Sequence, residues 1–435
     1  MDKKIKVIMF WFRRDLRLDD NVGLSRALSG GHPVIPLFIF DTTIIHKLPP
    51  NDARISFIYD TLQTMHQELE TMGSGLLIKK GNPKEVWRAL IQDHAIEAVY
   101  ANRDYEPDAI QRDVEIQQLL ASQGVTFHLF KDQVIFEPGQ ILKNNGQPYT
   151  IYTPYMKKWL SALMAENSLS ERMPGRNFQK ARYAEFPQLQ DLGFRTSNIK
   201  VAEYNLSPQL LSHYDDARDF PDRGATTHLG PHLRYGTISI RQAVRIAKEE
   251  SHVLLKELIW REFFMQILFF FPKVVDRSFK PAYDFIDWRN DEKEFRLWCT
   301  GATGYPIVDA GMRELNATGY MHNRIRMIVA SFLSKHLLID WRWGEAYFSD
   351  KLLDFELSSN NGNWQWAAGT GCDAAPYFRV FNPTLQQKKF DPNFIYISKW
   401  VPEFQSPAYP GPIVKHEDAR DRAMDRYRNA LEKKI

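Results

Sequence analysis

The chain has 435 residues, 44% of them hydrophobic and 25% charged, a balance that belongs to globular proteins and excludes a low-complexity or disordered chain. At this length a single hydrophobic core has stopped growing, so two domains are expected. The net charge of +3 neither demands nor excludes nucleic acid, because a basic face can coexist with acidic surface elsewhere.

Two cysteines, Cys299 and Cys372, supply neither a disulfide framework nor metal-cluster spacing; a reducing cytoplasm suits them and no metal is expected. The first apolar run, Val7 to Phe12, stops at Arg13 and Arg14 and is too short for a leader or a membrane span. Phe263 to Phe271 reads as a buried helix segment.

Strand-like runs at Val7 to Phe12, Val34 to Phe40, Leu76 to Lys79, Ala98 to Ala101 and Val125 to Phe130 alternate with helical patterns such as Pro83 to Asp93 and Asp108 to Ser122. That alternation predicts an α/β domain over residues 1–130, a Rossmann-like parallel sheet covered on both faces. No Gly-x-Gly-x-x-Gly follows the first strand. It runs instead into Arg13-Arg14-Asp15-Leu16-Arg17, so no NAD site is expected.

Residues 131–200 are punctuated by Pro138-Gly139, Asn144-Asn145-Gly146, Pro174-Gly175 and Pro187, with one helical stretch from Tyr152 to Glu166. They read as a long surface linker between two domains.

From 201 to 435 helical periodicity takes over: Ser239 to Lys248, Leu254 to Phe270, Ile307 to Asn316, His322 to Leu338 and Trp343 to Leu352 predict an all-helical domain. Thr226-Thr227-His228-Leu229-Gly230-Pro231 precedes a helix. Amides and hydroxyls there could form an anion pocket, although ordinary Ser and Thr caps give the same pattern. Glu257, Trp260 and Arg261 stand at i, i+3 and i+4, so a carboxylate, a flat ring and a guanidinium share one helix face. A solvated Glu–Arg pair beside a half-buried Trp would look the same. Ile325, Ile328, Val329, Phe332 and Leu333 form an apolar stripe, with Asn323 and Met327 on another face. Asn360-Asn361-Gly362-Asn363 is turn chemistry and predicts a tight loop holding Trp364 and Trp366 in fixed positions.

The segments TGYPIVDAGMRELNATGYMHNRIRMIVASFLSKHLLIDWRWGEAYF and NNGNWQWAAGTGCDAAPYFRVFNP resemble the two signature regions of the photolyase and cryptochrome family, and within it are most similar to the class I cyclobutane pyrimidine dimer photolyases. The resemblance is highly specific from Tyr214 to about Asp391 and runs less specifically from WFRRDLRLDDN. It implies an N-terminal α/β antenna domain and a C-terminal all-helical FAD-binding domain. The implied activity is light-driven repair of cyclobutane pyrimidine dimers in DNA by electron transfer from excited FADH⁻.

Flavin contacts are implied at Tyr214, Thr226, Thr227, His228, Leu229, Gly230, Arg326, Asp354, Phe355, Glu356 and Asn360. Gly230 departs from the serine commonly found there. Arg326 and Asp354 would pair across the flavin ring system, and Asn360 would lie by its N5. On the lesion side, Glu257 would bond the thymine carbonyls, Trp260 and Trp366 would stack on the flipped lesion, and Met327 would face it. Arg261 and Asn323 are implied DNA contacts, and Arg218, Arg324 and Arg379 would touch phosphates around the mouth. Trp364, Trp341 and Trp288 match the chain that carries an electron from the surface to the flavin, with Trp298 close to the last of them.

A second, antenna chromophore could be a folate, a deazaflavin or a flavin, or the domain could bind none tightly. His46 fits a folate site, whereas Asp108-Ala109 stands where folate-binding members carry Asn-Glu. Two alternatives stay open: a blue-light cryptochrome photoreceptor, which usually carries a long C-terminal extension, and a (6-4) photoproduct photolyase, which uses histidines in its lesion pocket. A monomer acting on DNA in the cytoplasm, away from membranes, is expected.

Overall fold

The computed structural model describes residues 5–165, 177–180 and 186–432; the expected Pro174-Gly175 turn and Glu166 lie outside them. The fold is α/β, with a parallel sheet in one compact unit and helices in another. Met1–Gln140, Ala162–Glu203 and Leu229–Ile246 make up the first, and Ile141–Ser161, Tyr204–His228 and Ala247–Ile435 the second. The two therefore interleave along the chain, and the stretch 131–200 is divided between them.

In the first unit, β1 (Lys6–Phe12), β2 (Val34–Asp41), β3 (Leu77–Gly81), β4 (Ala95–Asn102) and β5 (Thr126–Phe130) pair in parallel in the order β3-β2-β1-β4-β5. Successive side chains on a strand point to opposite faces. So β1 sends Ile8, Phe10 and Phe12 to one side, where α1 (Ala53–Thr71) buries Tyr59, Leu62 and Met65. It sends Val7, Met9 and Trp11 to the other, where α2 (Pro83–Asp93) and α3 (Pro107–Ala121) bury Trp87, Leu90, Ile116 and Leu120. Burial on both faces is why β1 and β2 read as unbroken apolar runs. The arginines after β1 are structural: Arg14 donates to Asp104 and Glu106 at 3.1 and 2.9 Å, and Arg17 to Asp132 at 2.6 Å.

Among the described residues the second unit contains helices and no named strand. It includes the start of α4 (Tyr152–Ala165), then α5 (His252–Phe270), α6 (Pro306–Thr318), α7 (Asn323–Ser331), α8 (Trp341–Lys351), α9 (Leu357–Ala368) and α10 (His416–Glu432). The predicted stripe Ile325, Ile328, Val329, Phe332 and Leu333 is buried in its main core with Trp298, Trp341 and Trp364.

Two expectations are corrected. The helix predicted from His322 to Leu338 is not continuous: α7 ends at Ser331 and a π-helical turn, Phe332–His336, follows. The wider turn swings Lys335 inward, where its Nζ donates to the carbonyls of Ala368 and Tyr377 at 2.8 and 3.2 Å. The tight loop predicted at 360–363 lies inside α9. Glu356 caps that helix, accepting from the Ser359 amide and from the Ser358 and Ser359 hydroxyls. Asn360 and Asn361 spend their amides on Glu345 and Val274 rather than on their own backbone, so tertiary bonds override local turn propensity.

Candidate active site

A cavity enclosing about 600 Å³ of empty space, counting its open mouth, lies between α7, α9 and the segment joining α8 to α9. Asn323, Arg326 and Met327 enter from α7, Asp354, Phe355 and Glu356 from the joining segment, and Asn360, Asn363, Trp364 and Ala367 from α9. The α9 positions are spaced i, i+3, i+4 and i+7, one face of the helix. Its opposite side is nailed down by polar bonds: Asn361 and Gln365 both donate to the Val274 carbonyl, at 2.9 and 3.0 Å, and Gln365 accepts from the Phe279 amide at 2.8 Å.

Arg326 grips both carboxylate oxygens of Asp354 at 3.1 and 2.9 Å and donates through Nε to the Met321 carbonyl at 2.8 Å. Burial disfavours its charge, yet the adjacent Asp354 outweighs that and holds the guanidinium above its ordinary value. Asn360 donates to the backbone and side chain of Glu345 at 3.0 and 2.9 Å. Both partners are acceptors, which fixes the amide's orientation and leaves its carbonyl oxygen as the group available to a ligand. Burial raises the Glu345 carboxyl, and the bond from Asn360 only partly offsets this.

Trp364 packs edge-on against Phe348 at 5.0 Å and Trp298 at 6.2 Å. Trp341 is fully buried with the Arg342 guanidinium 4.8 Å from its ring, and Trp288 rests edge-on against Tyr427 at 5.9 Å. The tryptophan in ring contact with Trp364 is thus Trp298, which the sequence marks only as a neighbour of Trp288.

Glu257, Trp260 and Arg218 do not line that cavity; they form a neighbouring cluster. Arg218 donates to Glu257 at 2.7 Å and lies 5.3 Å over the Tyr214 ring. Burial works against the Arg218 charge, but Glu257 reverses the balance and raises it. Trp260 stacks on Tyr152, and Arg261 is half-buried on the same helix. Arg324 is held by Asp219 at 2.8 Å, over the Phe390 ring, while Arg379 lies 6.0 Å from Trp366 and 5.3 Å from Phe381. Thr226 bonds the Tyr320 hydroxyl at 3.1 Å and His228 at 3.4 Å. Thr227 is buried, and His228 takes a left-handed backbone, φ 50°, that only a constrained position imposes on a non-glycine residue. Leu229 and Gly230 open the short helix Leu229–Tyr235, and His46 is exposed in the first unit.

Sequence reasoning missed Glu345 and Tyr152. A carboxylate in the aromatic stretch Trp341 to Phe348 was the only local signal of the former, and nothing local marked the latter.

Flat aromatic walls, an oriented amide acceptor and a paired Arg–Asp suit a planar heteroaromatic ring that presents N–H and carbonyl edges. The class is that of a flavin-binding protein. The profile described as the FAD binding domain of DNA photolyase matches residues 254–429, and that of DNA photolyase matches residues 8–175. A deoxyribodipyrimidine photo-lyase of Halobacterium salinarum is 38% identical over 97% of this chain and 99% of its own length. A bacterial class III photolyase from Agrobacterium tumefaciens superposes with a TM-score of 0.86 at 34% identity, covering 99% of both chains. An archaeal photolyase from Sulfolobus tokodaii, solved with two FAD molecules, gives 0.85 at 34% over 97% of this chain and all of that one. The chain belongs to the DNA photolyase family. Its signatures read as class I and a full-length structural relative is class III, so the family, not the subclass, is what they share.

Among the described residues no helix is long and apolar enough to cross a membrane, and no three metal-ligating side chains converge.

Proposed function

We propose that the protein repairs cyclobutane pyrimidine dimers in DNA under blue or near-UV light, with FAD as its cofactor. The observation that carries this reading is the cavity walled by Arg326–Asp354, Asn360 and Trp364, opening beside Met327 and Trp366. Reduced FAD, when bound and excited by light, would supply one electron to the dimer and take it back once the cyclobutane ring has split, with no net redox change.

The protein's residues bind and orient. Arg326 and Asp354 hold the edge of the flavin ring, and the Asn360 carbonyl, aimed by Glu345, accepts from a ring N–H. Tyr214, Thr226, Thr227, His228, Leu229 and Gly230 take the rest of FAD, with Phe355 and Glu356 at the cavity rim. Glu257, held by Arg218, offers carboxylate oxygens that accept from the thymine N–H groups. Trp260, Trp366 and Met327 receive the apolar faces of a lesion that has left the duplex stack. Such extrusion costs least for an already damaged pair, which contributes to selectivity. Arg261, Asn323, Arg324 and Arg379 contact the strand, so binding should weaken as salt rises. Trp364, Trp341 and Trp288 would pass an electron from an external reductant at the surface to the light-excited flavin. A second chromophore in the sheet-bearing unit, whether folate, deazaflavin or flavin, is part of the proposal, with the second FAD of the Sulfolobus relative as precedent.

The test is illumination of reduced protein with an oligonucleotide carrying one thymine dimer, followed by chromatography of the bases. Restored thymines are expected. Dimers that survive illumination reject the proposal, and repair of a (6-4) product instead assigns the chain to that branch.

A further inference from the structure

The repair reading gives no task to the ring behind Trp260. Tyr152, the first residue of α4, stacks on Trp260 with centroids 3.7 Å apart and planes 7° from parallel. Phe263 meets both rings edge-on, at 5.9 and 5.6 Å. The Tyr152 hydroxyl donates to the carbonyl of Lys256 at 2.7 Å, next in sequence to Glu257. Its amide donates to Asp373 at 2.9 Å, in the segment that leads to Arg379. One turn and two turns further along α4, Tyr155 and Trp159 both donate to the buried carboxylate of Glu262, at 3.4 and 2.6 Å. Three side chains on one stripe of α4 thus fasten it to α5.

We propose that Tyr152 is a positioning residue for lesion recognition: its ring backs Trp260, leaving the rest of the indole, at a fixed angle to Glu257, to receive an extruded base. This rests on the repair reading above. An indole free to turn about its two side-chain torsions would lose that freedom each time a base stacked on it, and affinity would fall accordingly. Clamped between Tyr152 and Phe263 it has already lost it. Burial, with Glu257 adding, keeps the Tyr152 phenol far above its ordinary value, so the hydroxyl remains a donor to Lys256 across the working pH range.

The experiment uses flavin-loaded protein with two oligonucleotides of one sequence, one carrying a single thymine dimer and one undamaged. A wild type that binds both equally defeats the repair reading before any variant is made. Given discrimination, Tyr152→Leu is expected to weaken binding of the dimer oligonucleotide about fivefold to tenfold, the range of a lost aromatic stack. The loss is confined to affinity: undamaged binding and repair per absorbed photon at saturating DNA stay within about twofold. Tyr152→Phe, which keeps the stack, behaves as wild type. In a Trp260→Leu background Tyr152→Leu adds less than its effect in the wild type, since the ring it backs is already gone. If Tyr152→Leu fails to hold flavin, Asp373→Ala cuts the amide tether instead and is held to the same selective loss. Unchanged dimer affinity, equal weakening for both oligonucleotides, or full additivity with Trp260→Leu overturns the proposal.

Discussion

Gly362 on α9 faces Phe264 on α5 so closely that a Cβ there would stand 2.5 Å from Cε1 and 2.7 Å from Cγ of the ring, against 3.4–4 Å for ordinary contact. Gly362→Ala must therefore move the ring or the helix by about 1 Å. Phe264 has nowhere to go: it is 6% exposed and packed 5.4 Å from Trp260 and 5.8 Å from Phe263. An unhindered Gly→Ala change inside a helix gains about 1 kcal/mol. Overpacking a well-filled core costs about 1–3 kcal/mol. The net expectation is a loss of up to about 2 kcal/mol, and each 1 kcal/mol lowers the unfolding midpoint by about 2–4 °C in a domain of this size. Function should suffer more than stability, because α5 carries Glu257 and Trp260 and α9 carries Asn360. A shift of about 1 Å between reacting partners can cost about a hundredfold in rate. Circular dichroism melts and the dimer-splitting assay read the two effects separately. Adding Phe264→Leu, which makes room for the methyl group, should recover most of the midpoint. A Gly362→Ala protein that is more stable by about 1 kcal/mol, with normal repair, would refute the packing argument.

Asp354→Asn leaves the Arg326 guanidinium without its carboxylate. Breaking such a largely buried pair should cost about 2–4 kcal/mol and empty the flavin site, visible as lost visible absorbance; full flavin content would contradict it. Burial, reinforced by His416 and Arg422, holds His336 down to about 3, and burial holds His322 down to about 4. The unfolded chain takes up those protons first, at its ordinary value of 6.5. Stability is therefore complete above that pH and falls as the solution is acidified toward the folded values, by up to about 1.4 kcal/mol per pH unit per histidine. Urea midpoints between pH 7 and 4.5 should show this decline, shallower in His336→Gln, and a flat profile would exclude it. Trp364→Phe should abolish light-driven reduction of the oxidised protein while chemically reduced protein still repairs; unimpaired photoreduction would remove Trp364 from the electron path.

What the sequence revealed follows the range of each interaction. Strands β1 and β2 were legible because burial on both faces writes an apolar run directly into neighbouring residues, as at Val34 to Phe40. That Asn323 and Met327 share a face apart from the apolar stripe was legible from helical spacing; that this face borders the cavity was not. Tyr152 was not, because its meaning lies in Trp260, more than a hundred residues away. Glu345 likewise gains its role from Asn360 across a helix boundary. Asn360-Asn361-Gly362-Asn363 misled for the same reason: local chemistry favours a turn, and the side-chain bonds that favour a helix come from α8 and the turn around Val274.

Polar residues on the back of α9 also explain why that helix serves as the platform of the site. Apolar side chains there would bury comparable area but tolerate rolling and sliding, since dispersion is nearly indifferent to direction. Hydrogen bonds are not: Asn361 and Gln365 converge on one carbonyl, Val274, and Gln365 also accepts from Phe279. A slip of one residue would rotate α9 by about 100° and break every one of these bonds at once. It would also carry Asn360 away from Glu345 and turn Trp364 off Gly344, whose missing side chain is what admits the indole. The polar back face therefore fixes the roll of α9, and that single angle sets where the amide, both tryptophans and the glycine contact with α5 all fall.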